Sequence, residues 1–257
     1  SVLHRLDPRM KLVLTVLYIV IIFLAENVWC FVALLASSVL LVLCSRLSLK
    51  VVLRGIRPIL FILLFTMVIN VFFTKGSEVL FSFWKITVYK EGILRAVFMA
   101  LRVTVLVVGT SVFLTYTTSP IDLTDGLESL LGPLKKIRFP VHELAMMMSI
   151  ALRFIPTIME ETEKIMSAQK ARGADFTTGS LVSRAKALIP IIVPLFASAF
   201  RRADELATAM ECRCYHGGEG RTKLRILKYR WRDVIALLFV ALFIGGIVTI
   251  NILGRRY

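Results

Sequence analysis

The sequence is poor in cysteine and in acidic residues, and it contains none of the short motifs that mark common enzymes. Its four cysteines are Cys30, Cys44, Cys212 and Cys214. The first two lie in an apolar run and the others in a basic segment, so they predict no disulfide framework. A phosphate-binding GxxxxGK[ST] loop is absent, as are HExxH and GxSxG. The chain is therefore expected neither to hydrolyse ATP nor to catalyse familiar hydrolytic reactions by itself.

Long apolar runs are what the sequence has in excess. Hydrophobic residues make up 57% of the 257 residues, whereas soluble domains are closer to half apolar. A helix that spans a bilayer needs ~20 apolar residues. The runs are Leu12–Ala25, Trp29–Ser45, Pro58–Phe73, Ile93–Tyr116 and Val234–Leu253. They predict about five membrane-spanning helices, and no cleavable signal peptide is expected because the first run leads directly into the second.

Positive charge dominates, with 32 Lys and Arg against 17 Asp and Glu. Nucleic-acid binding is not expected, because the basic residues flank apolar spans. The bias of Lys and Arg toward the cytoplasmic side explains the pattern better. Of the 32 bases, 17 lie in Thr117–Arg230, and Arg5, Arg9 and Lys11 lie near the N-terminus. These charges place both segments inside. Glu26 and the Thr74–Glu91 loop are placed outside, and the last span ends outside despite Arg255 and Arg256.

These patterns predict an all-α integral membrane protein in three parts. Residues 1–116 form a bundle of about four spans, residues 117–230 form a cytoplasmic region, and residues 231–257 form a final transmembrane helix. The helix of the first span begins at Asp7-Pro8, because Asp caps free amides and Pro suits the first helical position. The Arg46–Arg57 segment is expected to be an amphipathic piece at the inner surface.

Two long amphipathic helices dominate the predicted cytoplasmic region. Apolar residues recur every three or four positions from Leu144 to Ile165 and again from Val182 to Leu206, and charged residues lie on the opposite faces. Three prolines within these patterns (Pro156, Pro190 and Pro194) are expected to bend the helices without abolishing them. A shorter helix, Asp122–Leu131, precedes them and ends at Gly132-Pro133.

Both long helices are predicted to end on an arginine between small residues. The first ends at Ala171-Arg172-Gly173 and the second at Cys212-Arg213-Cys214. Such an arginine can enter a groove on a partner protein and pair with carboxylates there. The alternative is that it merely complements the dipole of its helix. The repetition of the ending about forty positions apart favours paired docking sites.

Three other groups of residues have a simpler structural explanation. Asp122, Asp125 and Glu128 lack a second acidic motif, so they are expected to cap a helix or lie at the surface. Cys212-x-Cys214-x-His216 is half of a zinc motif without its second half, and no metal or cofactor site is predicted. The Met146–Met148 run is assigned to packing.

Two arginines, Arg95 and Arg102, lie seven residues apart inside an apolar run. Because charge at membrane depth is costly, it usually faces protein or water. They either line a surface between subunits, or Arg95 lies near the membrane interface, and the sequence leaves both open.

The chain resembles the T component of energy-coupling factor (ECF) transporters. The resemblance rests on Arg172 and Arg213 in their two helix-end motifs, on the opening Leu6–Leu12, and on the stretch from Thr117-Thr118-Ser119-Pro120 to Gly217–Thr222. It covers nearly the whole chain. One departure is that Cys212-Arg213-Cys214 stands where the family usually has Ala-Arg-Gly, so that the backbone freedom of glycine is lost.

This resemblance implies a non-catalytic subunit in the plasma membrane of a bacterial cell. Its partners would be two cytoplasmic ABC-type ATPases, which bind the ATP, and a small substrate-binding S component. Coupling helices would carry ATP-driven motion to the S component for uptake of vitamins or related micronutrients, and one T component of this type would serve several S components. A self-sufficient secondary transporter and an integral membrane enzyme are the alternatives. The first would need more spans, internal repeats or broken helices, and the second would need convergent polar residues within the spans.

Overall fold

The computed structural model describes residues 3–25, 27–45, 48–74, 79–83, 86–174, 176, 180–218 and 227–254. Within these ranges the protein is almost entirely helical, as predicted. The helices are α1 (Pro8–Leu24), α2 (Val28–Ser45), α3 (Leu49–Phe73), α4 (Lys90–Thr110), α5 (Pro120–Leu130), α6 (Val141–Ala171), α7 (Leu181–Cys212) and α8 (Trp231–Gly254). Short 3-10 turns cover Leu3–Arg5 and Gly132–Ile137, and a π-helical turn, Ser111–Thr115, extends α4. Strands β1 (Val79–Phe83) and β2 (Ile86–Tyr89) pair antiparallel.

The chain divides into two compact units. Residues 1–129 and 226–257 form the first, called here the membrane unit, and residues 130–225 form the second, called the helical-arm unit. The boundaries predicted at residues 116 and 230 concern the membrane surface and stay predictions.

Apolar side chains from α1, α2, α4 and α8 fill the core of the membrane unit. Its most enclosed members include Leu14, Ile22, Leu34, Val112 and Ile247. Helices α1 and α4 pack closely at Gly109, where an added Cβ would overlap the ring of Tyr18. Many other apolar side chains face outward, and this is the expected surface of a protein whose solvent is lipid.

Polar contacts at both ends fix the relative direction of α1 and α8. At the start of the two helices the backbone N–H of Asp7 donates to the carboxylate of Asp233 over 2.9 Å. At their far ends the Asn251 side-chain amide donates to the carbonyl of Leu24. The two helices therefore run parallel.

Helix α4 runs in the opposite direction. Its Arg102 donates to the carbonyl of Ala25, just after α1, over 2.8 Å, while Thr117 beyond its end contacts Lys11 near the start of α1. The start of α1, the exit from α4 and the start of α8 thus lie at one face of the membrane unit.

Six of the described helices are long and apolar enough to cross a membrane: Val28–Ser45, Lys50–Phe73, Lys90–Thr115, Val141–Ala171, Val182–Cys212 and Trp231–Leu253. Helix α1, with 17 residues, is at the lower limit of a spanning helix. The protein is therefore an all-α, multi-pass membrane protein. Length and composition alone do not separate α6 and α7 from the spans.

Several local predictions are confirmed. Asp7 is the N-cap of α1, its side chain accepts from the N–H of Arg9, and Pro8 begins the helix. Helix α5 stops at Leu130, beside the predicted Gly132-Pro133 signal. Pro156 lies inside α6, and Pro190 and Pro194 lie inside α7, so these prolines do not break the long helices.

Two local features differ from prediction. The third apolar run was predicted from Pro58, after an amphipathic piece over Arg46–Arg57. Residues 49–57 instead form the first turns of one continuous α3 that includes Pro58, and their location at the inner surface stays a prediction. The Thr74–Glu91 loop contains the hairpin of β1 and β2. Glu26, Arg46, Arg255 and Arg256, which entered the charge argument, lie outside the described residues.

Candidate functional site at two matching helix ends

Helix α6 ends in a Schellman motif with Arg172 as its C-cap. The N–H of Gly173 donates to the carbonyl of Lys170 over 3.0 Å, and the N–H of Ala174 donates to that of Gln169 over 3.0 Å. These bonds satisfy carbonyls that a helix end leaves without partners. The motif requires a left-handed residue after the cap, and Gly173 supplies it with a φ of 88°.

Helix α7 ends in the same motif with Arg213 as its C-cap. The N–H of Cys214 donates to the carbonyl of Glu211 over 2.9 Å, and the N–H of Tyr215 donates to that of Met210 over 3.0 Å. Cys214 takes the left-handed position with a φ of 54°. The motif therefore forms without glycine, although a side chain at this position costs about 1–2 kcal/mol.

The two ends correspond residue for residue. Ala171 and Cys212 close their helices, Arg172 and Arg213 follow as caps, and all four side chains are exposed. Within the described part of the chain, neither cap guanidinium has a hydrogen-bond or ion-pair partner. Both are therefore available to an external carboxylate.

A polar contact joins α6 and α7 before these ends. Arg202 on α7 donates through Nη2 to Oε2 of Glu161 on α6 over 3.0 Å, and the Nε of Arg202 lies 3.5 Å from the hydroxyl of Ser198. Glu161 and Arg202 each precede the cap of their own helix by eleven residues, about 16 Å along an α-helix.

Charge is unevenly distributed along both helices. Five of the seven charged residues of α6 follow Met159, and five of the seven in α7 follow Phe200. The halves that lead to the arginine caps are therefore polar, and the halves that begin the helices are apolar.

The predicted absence of a metal site concerns two other groups. Asp122 forms a reciprocal cap with Ser119, whose hydroxyl donates to the carboxylate over 2.7 Å and accepts from the Asp122 N–H over 3.1 Å. Cys212 and Cys214 are free thiols. Among the residues that the structure describes, no group of three His, Cys, Asp or Glu side chains could hold a metal ion.

Arg102 and Arg95 have different surroundings. Besides its hydrogen bond to Ala25, the Arg102 guanidinium lies 5.5 Å from the ring centre of Phe31. Arg102 therefore joins α4 to the α1–α2 turn within one chain, whereas Arg95 is exposed. The sequence left two alternatives open: both arginines line a surface between subunits, or Arg95 lies near the membrane interface. The contacts of Arg102 do not favour the first.

A second polar cluster was missed by the sequence analysis. It lies at the start of α1, where Lys11 is only 2% exposed and Asp233 of α8 also 2%. Lys11 was counted among the flanking charges that fix orientation. The available signal was its position three residues inside the helix, immediately before the predominantly apolar run Leu12–Ala25.

The fold and the paired helix ends define a multi-span, all-α membrane protein that exposes two matching arginine caps. A family model described as CbiQ, cobalt transport protein, matches residues 1–224. The chain belongs to this family, and the resemblance drawn from its sequence is confirmed.

Relatives match over nearly the whole length of the chain. The energy-coupling factor transporter transmembrane protein EcfT of Brevibacillus brevis is 55% identical, over 95% of this chain and 92% of its own. The proteins of the same name from Clostridium kluyveri and Bacillus subtilis are 50% and 48% identical, over 99% and 94% of this chain and 93% and 92% of their own. These relatives are named as transmembrane proteins of a transporter, and their names indicate no enzyme.

Proposed function

We propose that this chain is the transmembrane coupling subunit of an ECF-type importer. In this role it transmits motion from two cytoplasmic ATPases to a substrate-binding S component for uptake of vitamins or related micronutrients. The observation that carries the proposal is the pair of matching arginine caps on α6 and α7. Two matching ends suit two similar partner subunits, and the names of the relatives point to the same transporter class.

Charge supports a cytoplasmic location for the start of α1 and for residues 117–230. The chain leaves α4 and returns to α8 at the face of the membrane unit where α1 begins, and most basic residues lie between these points. Cytoplasmic segments of membrane proteins are rich in Lys and Arg. Because α8 runs parallel to α1, its far end lies on the outer side of the membrane. The membrane in question is the plasma membrane of a bacterium.

The polar halves of α6 and α7 argue against both helices being ordinary spans. A charged side chain at the bilayer centre costs ~2.5–3.5 kcal/mol on insertion scales, and Glu160, Glu161, Glu163 and Lys164 follow one another closely in α6. These helices instead act as coupling helices, with their polar ends in the cytoplasm.

Each cap arginine docks into a groove on one ATPase. A guanidinium offers a planar fork of donors that pairs with carboxylates at two points, and both guanidinia are exposed for this purpose. ATP is bound and hydrolysed by the partners, since this chain has no phosphate-binding loop. It needs no cofactor of its own.

Co-purification tests the proposal and its alternatives. Tagged chain should bring down two ATPases and one of several small membrane proteins. The isolated chain should neither hydrolyse ATP nor bind a vitamin tightly. Stoichiometric vitamin binding by the isolated chain would support a self-sufficient secondary transporter instead, and turnover by the chain alone would support a membrane enzyme.

A further inference from the structure

A buried lysine holds the segment by which the chain leaves α4. The Nζ of Lys11 donates to the carbonyl of Thr117 over 2.6 Å and lies 3.4 Å from that of His4. Lys11 is only 2% exposed and Thr117 only 6%. A charged donor committed to backbone carbonyls in such a place fixes the position of the chain, because a buried ammonium without partners is costly.

The exit segment has further supports. The π-helical turn Ser111–Thr115 interrupts the regular hydrogen bonding of α4. The hydroxyls of Thr117 and Thr118 both donate to the carbonyl of Phe113, over 2.7 and 3.0 Å. Such π-turns often occur at functional positions. Here the turn delivers Thr117 to Lys11, three residues before α5 begins.

The returning segment is held by the same part of α1. The Asp233 carboxylate accepts from the N–H of Asp7 over 2.9 Å and from the N–H of Arg230 over 2.8 Å. Arg9 places its guanidinium 5.3 Å from the ring centre of Tyr229, and its Nη2 lies 3.5 Å from the carbonyl of Leu227.

Both covalent connections to the helical-arm unit are therefore tied to one short segment. That unit joins the membrane unit before Leu130 and after Arg225. On one side Lys11 holds Thr117, and on the other Asp7 and Arg9 hold residues 227–233. We propose that residues 7–11, called here the α1 anchor, pass movement of the helical-arm unit to the membrane helices, with Lys11 and Asp233 as positioning residues. This inference rests on the proposed transport function.

Variants of Lys11 distinguish a role in passing movement to the membrane helices from a role in stability alone. Lys11→Met keeps an unbranched side chain that is one atom shorter and removes the donor, whereas Lys11→Arg keeps a donor. Lys50→Met makes the same change at an exposed lysine in the first turn of α3 and is the matched control. Each variant is purified with both ATPases and the small membrane protein that co-purifies with the unmodified chain, and the complex is reconstituted into vesicles. Three quantities are measured: the subunit ratio, ATP hydrolysis, and the amount taken up per ATP of the radiolabelled vitamin that this small membrane protein binds.

For Lys11→Met we expect the subunit ratio and hydrolysis to stay within about twofold of the unmodified complex, with uptake per ATP at least tenfold lower. Lys11→Arg should recover most of the uptake, and Lys50→Met should be unaffected. Unchanged uptake per ATP in Lys11→Met would overturn the inference. So would a parallel loss of assembly, hydrolysis and uptake without recovery in Lys11→Arg, since that pattern reports stability alone.

Asp233→Asn decides the matter if Lys11→Met does not fold. In the native chain the N–H groups of Asp7 and Arg230 each donate to a different carboxylate oxygen of Asp233. Asparagine has only one side-chain oxygen, so one of these two N–H groups loses its acceptor. Lowered uptake per ATP in an assembled, hydrolysing complex supports the α1 anchor, and normal uptake per ATP refutes it. The unmodified complex tests the proposed function separately. If the unmodified complex contains no ATPases or shows no ATP-dependent uptake, the proposed function is wrong. The inference about the α1 anchor, which rests on that function, is then wrong as well.

Discussion

Arg202 of α7 pairs with Glu161 of α6 over 3.0 Å, and the two residues occupy equivalent positions in the two endings. Each is followed eleven residues later by the arginine that caps its helix. The pair therefore joins α6 and α7 at matched distances from Arg172 and Arg213. Because both arginine caps lie at the same distance along their helices from this contact, they are suited to a pair of similar docking grooves.

The first prediction concerns these caps. Arg172→Ala and Arg213→Ala should each weaken assembly with the ATPases or uncouple hydrolysis from uptake, and the double variant should lose both. Truncating one partner of a buried charged pair costs about 2–5 kcal/mol, partly because the other charge is stranded. Lysine should substitute poorly, since it lacks the planar fork. ATP-dependent vitamin uptake in vesicles, with co-purification of the ATPases, provides the measurement.

Lys170→Ala is the control for the alternative in which the arginines only complement helix dipoles. Lys170 is an exposed cation in the last turn of α6, so the dipole interaction predicts a similar, small effect of ~0.3–1 kcal/mol at Lys170 and Arg172. Docking predicts a large loss at Arg172 alone. Near-normal uptake and co-purification in the double arginine variant would show that docking is wrong.

The second prediction concerns the left-handed residue after each cap. Cys214→Gly should stabilise the chain by about 1 kcal/mol, because glycine adopts a φ of 54° without the steric cost of a side chain. Gly173→Ala should destabilise it by a similar amount, although an added Cβ meets no atom within 4 Å. Thermal unfolding in detergent gives both values. A destabilising Cys214→Gly would mean that the cysteine makes a contribution absent from this geometry.

The third prediction concerns Arg102. Arg102→Met should lower the free energy of unfolding by about 1–3 kcal/mol, since it removes a charged hydrogen bond to Ala25 and the contact with Phe31. Arg95→Met, seven residues earlier and exposed, should change it by less than ~0.5 kcal/mol. Equal effects of the two substitutions in detergent-solubilised protein would contradict the assigned difference.

Local sequence signals predicted the helix ends well. Apolar periodicity indicated α6 and α7, and the Arg172-Gly173 pair indicated how α6 stops, because a cap depends on residues within one or two turns. Because Cys214 stands where the family usually has glycine, the sequence predicted a loss of backbone freedom at this position. Two Schellman hydrogen bonds nevertheless hold the end of α7 in the same conformation as the end of α6.

Contacts distant in sequence were not predictable in this way. Lys11 and Thr117 are 106 positions apart, and Asp7 and Asp233 are 226 apart. No local pattern in either segment indicates which distant residue it contacts. Lys11 was therefore used only as a positive charge that indicates the orientation of the chain. The hairpin of β1 and β2 was missed within a short loop of mixed composition, and Pro58 concealed the continuity of α3.

The last prediction concerns orientation, and the native cysteines make it direct. Cys212 and Cys214 are exposed at the end of α7, and Cys30 is buried. Cys44, exposed on a spanning helix, is replaced by serine throughout. In intact cells that express the chain without its ATPases, a membrane-impermeant maleimide should leave Cys212 and Cys214 unlabelled. It should label both after permeabilisation, and Cys30 should remain unlabelled in either case.

A matched reporter for the opposite face is Trp29→Cys, combined with Cys212→Ala and Cys214→Ala. Trp29 lies in the first turn of α2 with 74% of its surface exposed, at the end of the membrane unit remote from Lys11. If basic residues mark the cytoplasmic side, the introduced thiol should react in intact cells. External labelling of Cys212 or Cys214, with protection of the thiol at position 29, would reverse the orientation. The arginine caps would then face away from any cytoplasmic ATPase, and the coupling function would be excluded.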